Sequence, residues 1–393
     1  MTFAAPLLWL LSLPILSLFA VFLTENTLGQ FSRKKVRTPP RELGRVAILM
    51  PAHNEAGGIA QTLLATQPHL PKSAHIIVIA DNCTDATADL ARAAGAFVIE
   101  RSDPEKRGKG YALAFGKDFL CNTPPDYVII LDADCTPEAG ALNMLLEAAM
   151  FTGQPAQARY LMAEVQQAKP KVQISNFAFL IKNFIRQRGV ANLGGAAVLT
   201  GTGMVFPWDI FKNAPLASSN IVEDLALGIH LARAGHPPLF VENAIILSTA
   251  ATEEATLTQR CRWEHGFLDT ARSQGLPLLV DGLTKGKPAL FWLGLHLLVP
   301  PLSLLFIIGS LVLALLYSAG FLGLGYSQAY ALTAVMLASV MIVLLSWLRY
   351  GRATLTPSTL VKIPLYILWK LPIYLGLFKG VEKSWIRTER PEK

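Results

Sequence analysis

Charge is what this chain has least of: 16% of its 393 residues are Asp, Glu, Lys or Arg, against roughly 25% in soluble domains. That scarcity excludes a chain solvated over its whole length and places part of it in lipid. A hydrophobic fraction of 52% and a mean hydropathy of +0.39 point the same way. Cysteine is scarce too. Cys83, Cys121, Cys135 and Cys261 form no C-x-x-C pair, which argues against a zinc ribbon or a disulfide framework and for a reducing compartment. The stretch 3–23 has no charge and no basic residue before it. A signal peptide would want a basic start, a shorter apolar core and a small-residue cleavage site, and no basic residue precedes this span. The span is long enough to cross a bilayer, and residues 1–25 are expected to be a membrane anchor.

Basic residues crowd just behind that anchor: Arg33, Lys34, Lys35, Arg37, Arg41 and Arg45. By the positive-inside rule this linker, 26–44, and all that follows belong on the cytoplasmic side of the inner (plasma) membrane. Net charge is +7, and because the positive charges flank apolar spans, membrane lipids rather than nucleic acid are the expected partner.

From residue 46 the pattern alternates between short apolar runs and helical stretches. Strands are expected at Val46–Met50, His75–Ala80, Ala96–Glu100 and 127–134, with helices between, which implies a mostly parallel sheet with right-handed crossovers. Tyr127 opens a continuous apolar run that stops in Asp132-Ala133-Asp134, as in a strand buried on both faces. The chain is expected to turn between the two aspartates, since an unbroken strand would point them to opposite faces. Carboxylate oxygens suit Mg²⁺ or Mn²⁺ sharing its coordination with phosphates. Asn54, Glu55, Asp81, Asn82, Asp132 and Asp134 all fall at carboxyl ends of strands, where open α/β sheets bind nucleotides. Thr136-Pro137-Glu138 reads as the start of a helix.

Further on, Lys106, Arg107 and Lys109 stand among glycines that could cradle a diphosphate, or form an ordinary solvated loop. Residues 169–188 mix aromatic and basic side chains and suit either the membrane interface or packing on the catalytic domain. Gly201-Thr202-Gly203 marks a close backbone approach. Glu223 and Asp224 open a helix. Gln259, Arg262 and Trp263 share one helical face, where a guanidinium suits phosphate and an indole suits a sugar ring.

In order along the chain, Pro51-Ala52-His53-Asn54-Glu55, Asp81-Asn82-Cys83-Thr84-Asp85, Gly108-Lys109-Gly110, Asp132-Ala133-Asp134, Glu223-Asp224 and Gln259-x-x-Arg262-Trp263 resemble the membrane-bound family 2 glycosyltransferases. These are related to cellulose, hyaluronan and poly-N-acetylglucosamine synthases. The resemblance implies a GT-A fold and a sugar-nucleotide donor. Pro51, His53, Glu55 and Asp81 would hold the nucleoside of a UDP-sugar, and Lys109 and Arg262 its diphosphate. Asp132 would contact the ribose or donor sugar and, with Asp134, the metal. Asp224, beside Glu223, would be the catalytic base. Trp263, Gln259, Gly201, Thr202 and Gly203 would face the acceptor. Two positions depart from the pattern, Asn82 where a second acid is usual and Val222 where a threonine precedes the acidic pair.

The expected layout is a cytoplasmic catalytic domain over 45–285 and two membrane helices over 286–350. An interfacial helix with a basic tail over 351–393 completes it. One span is expected over 288–318, kinked at Pro300-Pro301, and another over 328–348. Residues 359–379, carrying Lys362 and Lys370, are expected to lie in the interface rather than cross. The resemblance implies an inverting transferase acting on a lipid-linked or growing saccharide acceptor, with other polysaccharide-assembly proteins as possible partners. A processive polysaccharide synthase and an inactive nucleotide-binding scaffold are the alternatives.

Overall fold

The computed structural model describes residues 4–32, 44–164, 168–218, 222–248 and 253–376. The basic stretch Arg33 to Arg41, Ile221 before the acidic pair, and the tail from Lys379 lie outside the described residues. The chain divides into two compact units. One gathers residues 44–164, 195–218, 222–248 and 253–263; the other gathers 4–32, 168–194 and 264–376.

The first unit is built on eight strands: β1 Val46–Ala52, β2 Ala74–Asp81, β3 Phe97–Arg101, β4 Tyr127–Ile130, β5 Cys135–Pro137, β6 Ala156–Met162, β7 Met204–Pro207 and β8 Leu239–Ser248. Their order across the sheet is β3-β2-β1-β4-β7-β6-β8-β5. β1 and β4 are apolar at every position but one because helices cover both faces, and Ile48, Leu49, Ile129 and Ile130 are fully buried. The expected helices form at Ile59–Thr66, Thr87–Ala93 and Lys109–Leu120. The β3-β2-β1-β4 half is parallel. In the other half β6 and β8 run parallel, while β7 is antiparallel to both β4 and β6 and β5 is antiparallel to β8. The sheet is therefore mostly parallel, as expected, without being purely so.

Two local corrections bear on the site. β4 ends at Ile130, not 134, and a turn closed by Cys135 N–H to Asp132 C=O (3.0 Å) carries both aspartates. Thr136-Pro137-Glu138 does not start a helix. Cys135–Pro137 is an edge strand, where a proline's missing N–H costs nothing on the open side. The helix waits until Ala141.

The second unit is helical. Leu8–Leu28, Leu302–Leu324 and Ser327–Gly351 are long and apolar enough to cross a membrane, by length and composition. The single kinked span expected over 288–318 is two pieces. Pro288–Leu298 is a short apolar helix, and the chain leaves helical geometry at Val299 before the prolines. Residues 357–376 form only short helices, Pro357–Leu360, Ile363–Trp369 and Leu371–Gly376, too short to cross singly.

The basic-aromatic segment 169–188 belongs to the helical unit. It runs as Pro170–Leu180, a π-helical turn Ile181–Arg186 and Gln187–Asn192, buried within this helical unit. Arg186 Nε donates to Glu25 Oε2 at 2.6 Å and Arg188 Nε to Gly29 C=O at 2.6 Å. Its arginines find a carboxylate and backbone carbonyls within the unit.

Candidate active site

The turn after β4 sets the centre of the site in the sheet unit. Leu131 N–H still donates to Leu49 C=O (3.1 Å), so the backbone follows β1 one residue beyond the strand and then releases Asp132 and Asp134 at the sheet edge. Asp132 N–H donates to Thr202 Oγ1 at 3.1 Å. Lys109 opens the helix Lys109–Leu120. Its ammonium donates to Asp132 Oδ1 and, at 2.8 Å, to Gly201 C=O.

Gly201 is the hinge of this arrangement. Its φ of +85° lies in the region that favours glycine, and a methyl group there would stand 3.1 Å from Lys109 Nζ, 3.2 Å from Asp224 Oδ2 and 4.0 Å from Asp132 Oδ2. Residues 109, 132, 201 and 224 thus meet at one point. Glu223 and Asp224 occupy the first turn of the helix Glu223–Arg233, where the helix dipole favours negative charge. Leu225 N–H donates to Asp224 Oδ1 at 2.7 Å. A small cavity beneath is lined by Lys109, Leu113, Met204, Glu223, Asp224 and Leu227.

The electrostatics follow from this crowding. Burial opposes the charge on Lys109, but Asp132, Glu223 and Asp224 around it outweigh burial and raise its pKa above the ordinary lysine value. Burial and the neighbouring Asp224 push Glu223 up to about 8, against the pull of Lys109. Burial lowers the Arg262 guanidinium, and the charge of Glu223 partly restores it, which brings Arg262 into the field of the same acidic pair.

Asp134 has its own support. Ser248 Oγ, at the end of β8, donates to Asp134 Oδ2 at 3.2 Å, and Cys135 Sγ donates to Oδ1 at 3.4 Å. Ligand atoms of Asp132, Asp134 and Cys135 lie within 4.8 Å of one another. Two partly exposed carboxylates fit a hard divalent cation. The Cys135 thiol is held well above its ordinary pKa by burial and by both carboxylates, so it acts here as a donor to Asp134.

A second cluster forms at the ends of β1 and β2. His53 Nδ1 lies 2.7 Å from Asp81 C=O, and Glu55 N–H donates to Thr87 Oγ1 at 2.7 Å. Pro51 lies in β1, just before them. Asp81 is buried, and Arg101 Nη1 donates to its Oδ1 at 2.6 Å across the β2–β3 register. Gln259, Arg262 and Trp263 lie on the helix Glu253–Thr284. The Arg260 guanidinium lies over the Trp263 ring, 5.0 Å from its centroid.

Two of the residues expected to face the acceptor point elsewhere. Thr202 is fully buried and its hydroxyl is occupied by Asp132 N–H. At Gly203 a methyl group would meet Ile246 and Ala158 in the interior. Only Gly201 of that passage borders the carboxylates. Arg101, Gln157 and Ser248 were not anticipated. It is the β2–β3 register that sets Arg101 beside Asp81, and register is not written in the local sequence.

The profile of the family described as "Glycosyltransferase like family 2" matches residues 44–266, more than half of the chain. The low-salt glycan biosynthesis hexosyltransferase Agl6 of Haloferax volcanii is 36% identical over 103 residues, covering 26% of this chain and 24% of that protein. The probable glycosyltransferase YdaM of Bacillus subtilis is 28% identical over 243 residues, covering 59% of this chain and 57% of that protein. The chain thus spans about a quarter and somewhat over half of those two relatives. Among solved structures, the mannosyltransferase PcManGT of Pyrobaculum calidifontis, in complex with GDP-Man and Mn²⁺, superposes with a TM-score of 0.52 at 16% identity. That match covers 86% of this chain and 99% of the other, and at that identity the likeness is one of fold. With the sheet, the carboxylate turn and the acidic pair in place over the matched residues, the chain belongs to the family 2 glycosyltransferases of GT-A type.

Proposed function

We propose that this chain is an inverting, metal-dependent glycosyltransferase. It moves a hexose from a nucleoside-diphosphate sugar, a UDP-sugar first of all, to a lipid-linked or growing saccharide acceptor in exopolysaccharide or glycolipid biosynthesis. The observation that carries this reading is the meeting of Lys109, Asp132 and Asp224 around Gly201. Segments far apart in sequence bring a cation and two carboxylates to one sheet edge, where open α/β sheets take nucleotides.

The residues divide the work as follows. Pro51, His53, Glu55 and Asp81, at the ends of β1 and β2, hold the base and ribose. Lys109, with Arg262, balances the charge of the diphosphate. Glu223, raised to about 8, keeps a proton at neutral pH, so the negative charge of the acidic pair resides on Asp224. Asp224 then takes the proton of the acceptor hydroxyl while that oxygen bonds to the anomeric carbon and the bond to the diphosphate breaks. A single displacement inverts the centre, so an α-linked donor gives a β-glycoside. Asp134, with Asp132, would hold Mg²⁺ or Mn²⁺, and the bound ion supplies charge neutralisation to the departing diphosphate. Trp263 and Gln259 stack against and orient the acceptor.

The protein sits in the inner membrane as a multi-pass chain with the sheet unit in the cytoplasm. Three spanning-length helices among the described residues offer little wall for a polymer channel, which favours addition to a lipid-linked acceptor over processive synthesis. The test is a screen of the purified full chain with UDP-sugars, Mn²⁺ and a membrane lipid extract, read by mass analysis of lipid-extractable product. Asp224→Asn is expected to abolish transfer and keep UDP binding, and Asp134→Ala to weaken Mn²⁺-dependent UDP binding as well. Equal loss of UDP binding in both would overturn the assignment.

A further inference from the structure

Gln157 lies in β6, fully buried, with no side-chain atom at the sheet edge. A buried primary amide must be fully hydrogen-bonded to be tolerated, and both ends of this one are spent on the passage Thr200–Gly203. Its Oε1 accepts from Thr200 N–H at 2.9 Å. Its Nε2 donates to Thr202 C=O at 3.0 Å and to Ala158 C=O at 2.9 Å. The reason for this arrangement lies in the sheet. β6 and β7 pair at Ala156↔Val205 and Gln157↔Met204; Gly203 still accepts from Ala158 N–H and donates to Ile130 C=O, and before Gly203 the chain leaves the ladder. Gly201 and Gly203 have φ of +85° and +62°, so the passage cannot continue as strand, and its amides and carbonyls need partners elsewhere.

That same passage supplies the supports of the site. Gly201 C=O receives Lys109 Nζ at 2.8 Å, and Thr202 Oγ1 receives Asp132 N–H at 3.1 Å. We infer that Gln157 is a positioning residue: by templating the Thr200–Gly203 passage from beneath, it sets the Gly201 carbonyl that holds the Lys109 ammonium where the donor diphosphate binds. It touches no substrate. Its influence passes through Lys109, and the inference rests on the reading of this edge as a sugar-nucleotide site.

The test uses the full-length protein with Gln157→Met, which keeps the side-chain volume and removes both bonding ends, and Gln157→Glu, which keeps the acceptor and removes the donor. UDP affinity in the presence of Mn²⁺ is measured by calorimetry, transfer by steady-state kinetics, and folding by melting temperature. UDP affinity is expected to fall about 10- to 100-fold in Gln157→Met. The acceptor KM should stay within about twofold, since the lost interaction concerns donor binding. The decisive arm is a cycle with Lys109→Met. If Gln157 acts through Lys109, adding Gln157→Met to Lys109→Met changes UDP affinity by less than about twofold, whereas a merely structural role adds its full loss. Additive losses overturn the proposal, as does wild-type UDP affinity in a folded Gln157→Met. Should Gln157→Met melt below the assay temperature, the same cycle with Gln157→Glu decides between the two. A wild-type protein that binds no nucleoside diphosphate and transfers no sugar would overturn the functional reading itself, a result distinct from either.

Discussion

Lys109 and Asp132 form an ion pair that joins the first residue of a helix to the turn after β4, with both side chains largely shielded from water. The pair is not isolated, because Glu223 and Asp224 add their charges to the same ammonium. Removing the cation therefore leaves several acids facing one another in a partly desolvated pocket. Lys109→Gln is expected to lower UDP affinity about 10- to 100-fold, the cost of a lost charge-assisted contact plus uncompensated repulsion. Calorimetric titration with UDP and Mn²⁺ checks it. Unchanged affinity would place the diphosphate elsewhere.

Glu223 gives a dependence of stability on pH whose sign is fixed. Its folded pKa of about 8 stands above the ordinary 4.5. Between these values the folded chain holds a proton that the unfolded chain has released, so stability falls as pH rises through that window. The destabilisation is absent below 4.5 and complete above about 8. Melting temperatures of the detergent-solubilised chain in EDTA, at pH 5, 6.5 and 8, are expected to decline more steeply in wild type than in Glu223→Gln. Parallel curves would mean that Glu223 is not perturbed.

What was legible in the sequence was what a strand writes locally. The apolar run from Tyr127 ends in carboxylates, and a glycine-flanked lysine opens a helix; both signals lie within a few residues. Roles that depend on register were not legible. Gln157 and Ser248 reach the site across 45 and 114 residues of sequence, and only the β6–β7 separation and the β5–β8 pairing explain why. Thr202 reads as a loop hydroxyl and is a buried acceptor for Asp132. The segment 169–188 left two placements open in the sequence because the partner of Arg186, Glu25, stands 161 residues away.

Gly201 separates backbone strain from crowding. Gly201→Ala places a methyl group 3.1 Å from Lys109 Nζ and 3.2 Å from Asp224 Oδ2, at a φ of +85°. Gly153→Ala is the control: φ is +67° and nothing lies within 4 Å of the added carbon. Both substitutions are expected to cost about 1–2 kcal/mol of stability from the left-handed backbone alone. Only Gly201→Ala should also lower transfer, by about 100-fold or more, because a sub-ångström shift of a catalytic group is that costly. Equal activities in the two variants would show that the carboxylates are free to move apart without consequence.

The helical unit carries its own test, in the buried group formed by Glu25, Arg186 and His296. Arg186 Nε donates to Glu25 Oε2 at 2.6 Å and Arg186 Nη2 to His296 C=O at 3.2 Å, while His296 Nδ1 lies 3.1 Å from Glu25 Oε1. All three residues are at most 5% exposed. Taking charges out of water is expensive, and what makes this pair tolerable is that each ion satisfies the other. Arg186→Met strands the Glu25 carboxylate and Glu25→Leu strands the guanidinium, so each single change is expected to cost about 3–5 kcal/mol. The double variant removes both charges and fills the space with apolar volume, and it is expected to be more stable than either single variant. Thermal unfolding of the four proteins in detergent measures the coupling directly. Losses that simply add would mean that the two side chains are stabilised by different partners, and that the contact between the N-terminal helix and the π-helical turn is held by packing instead of charge.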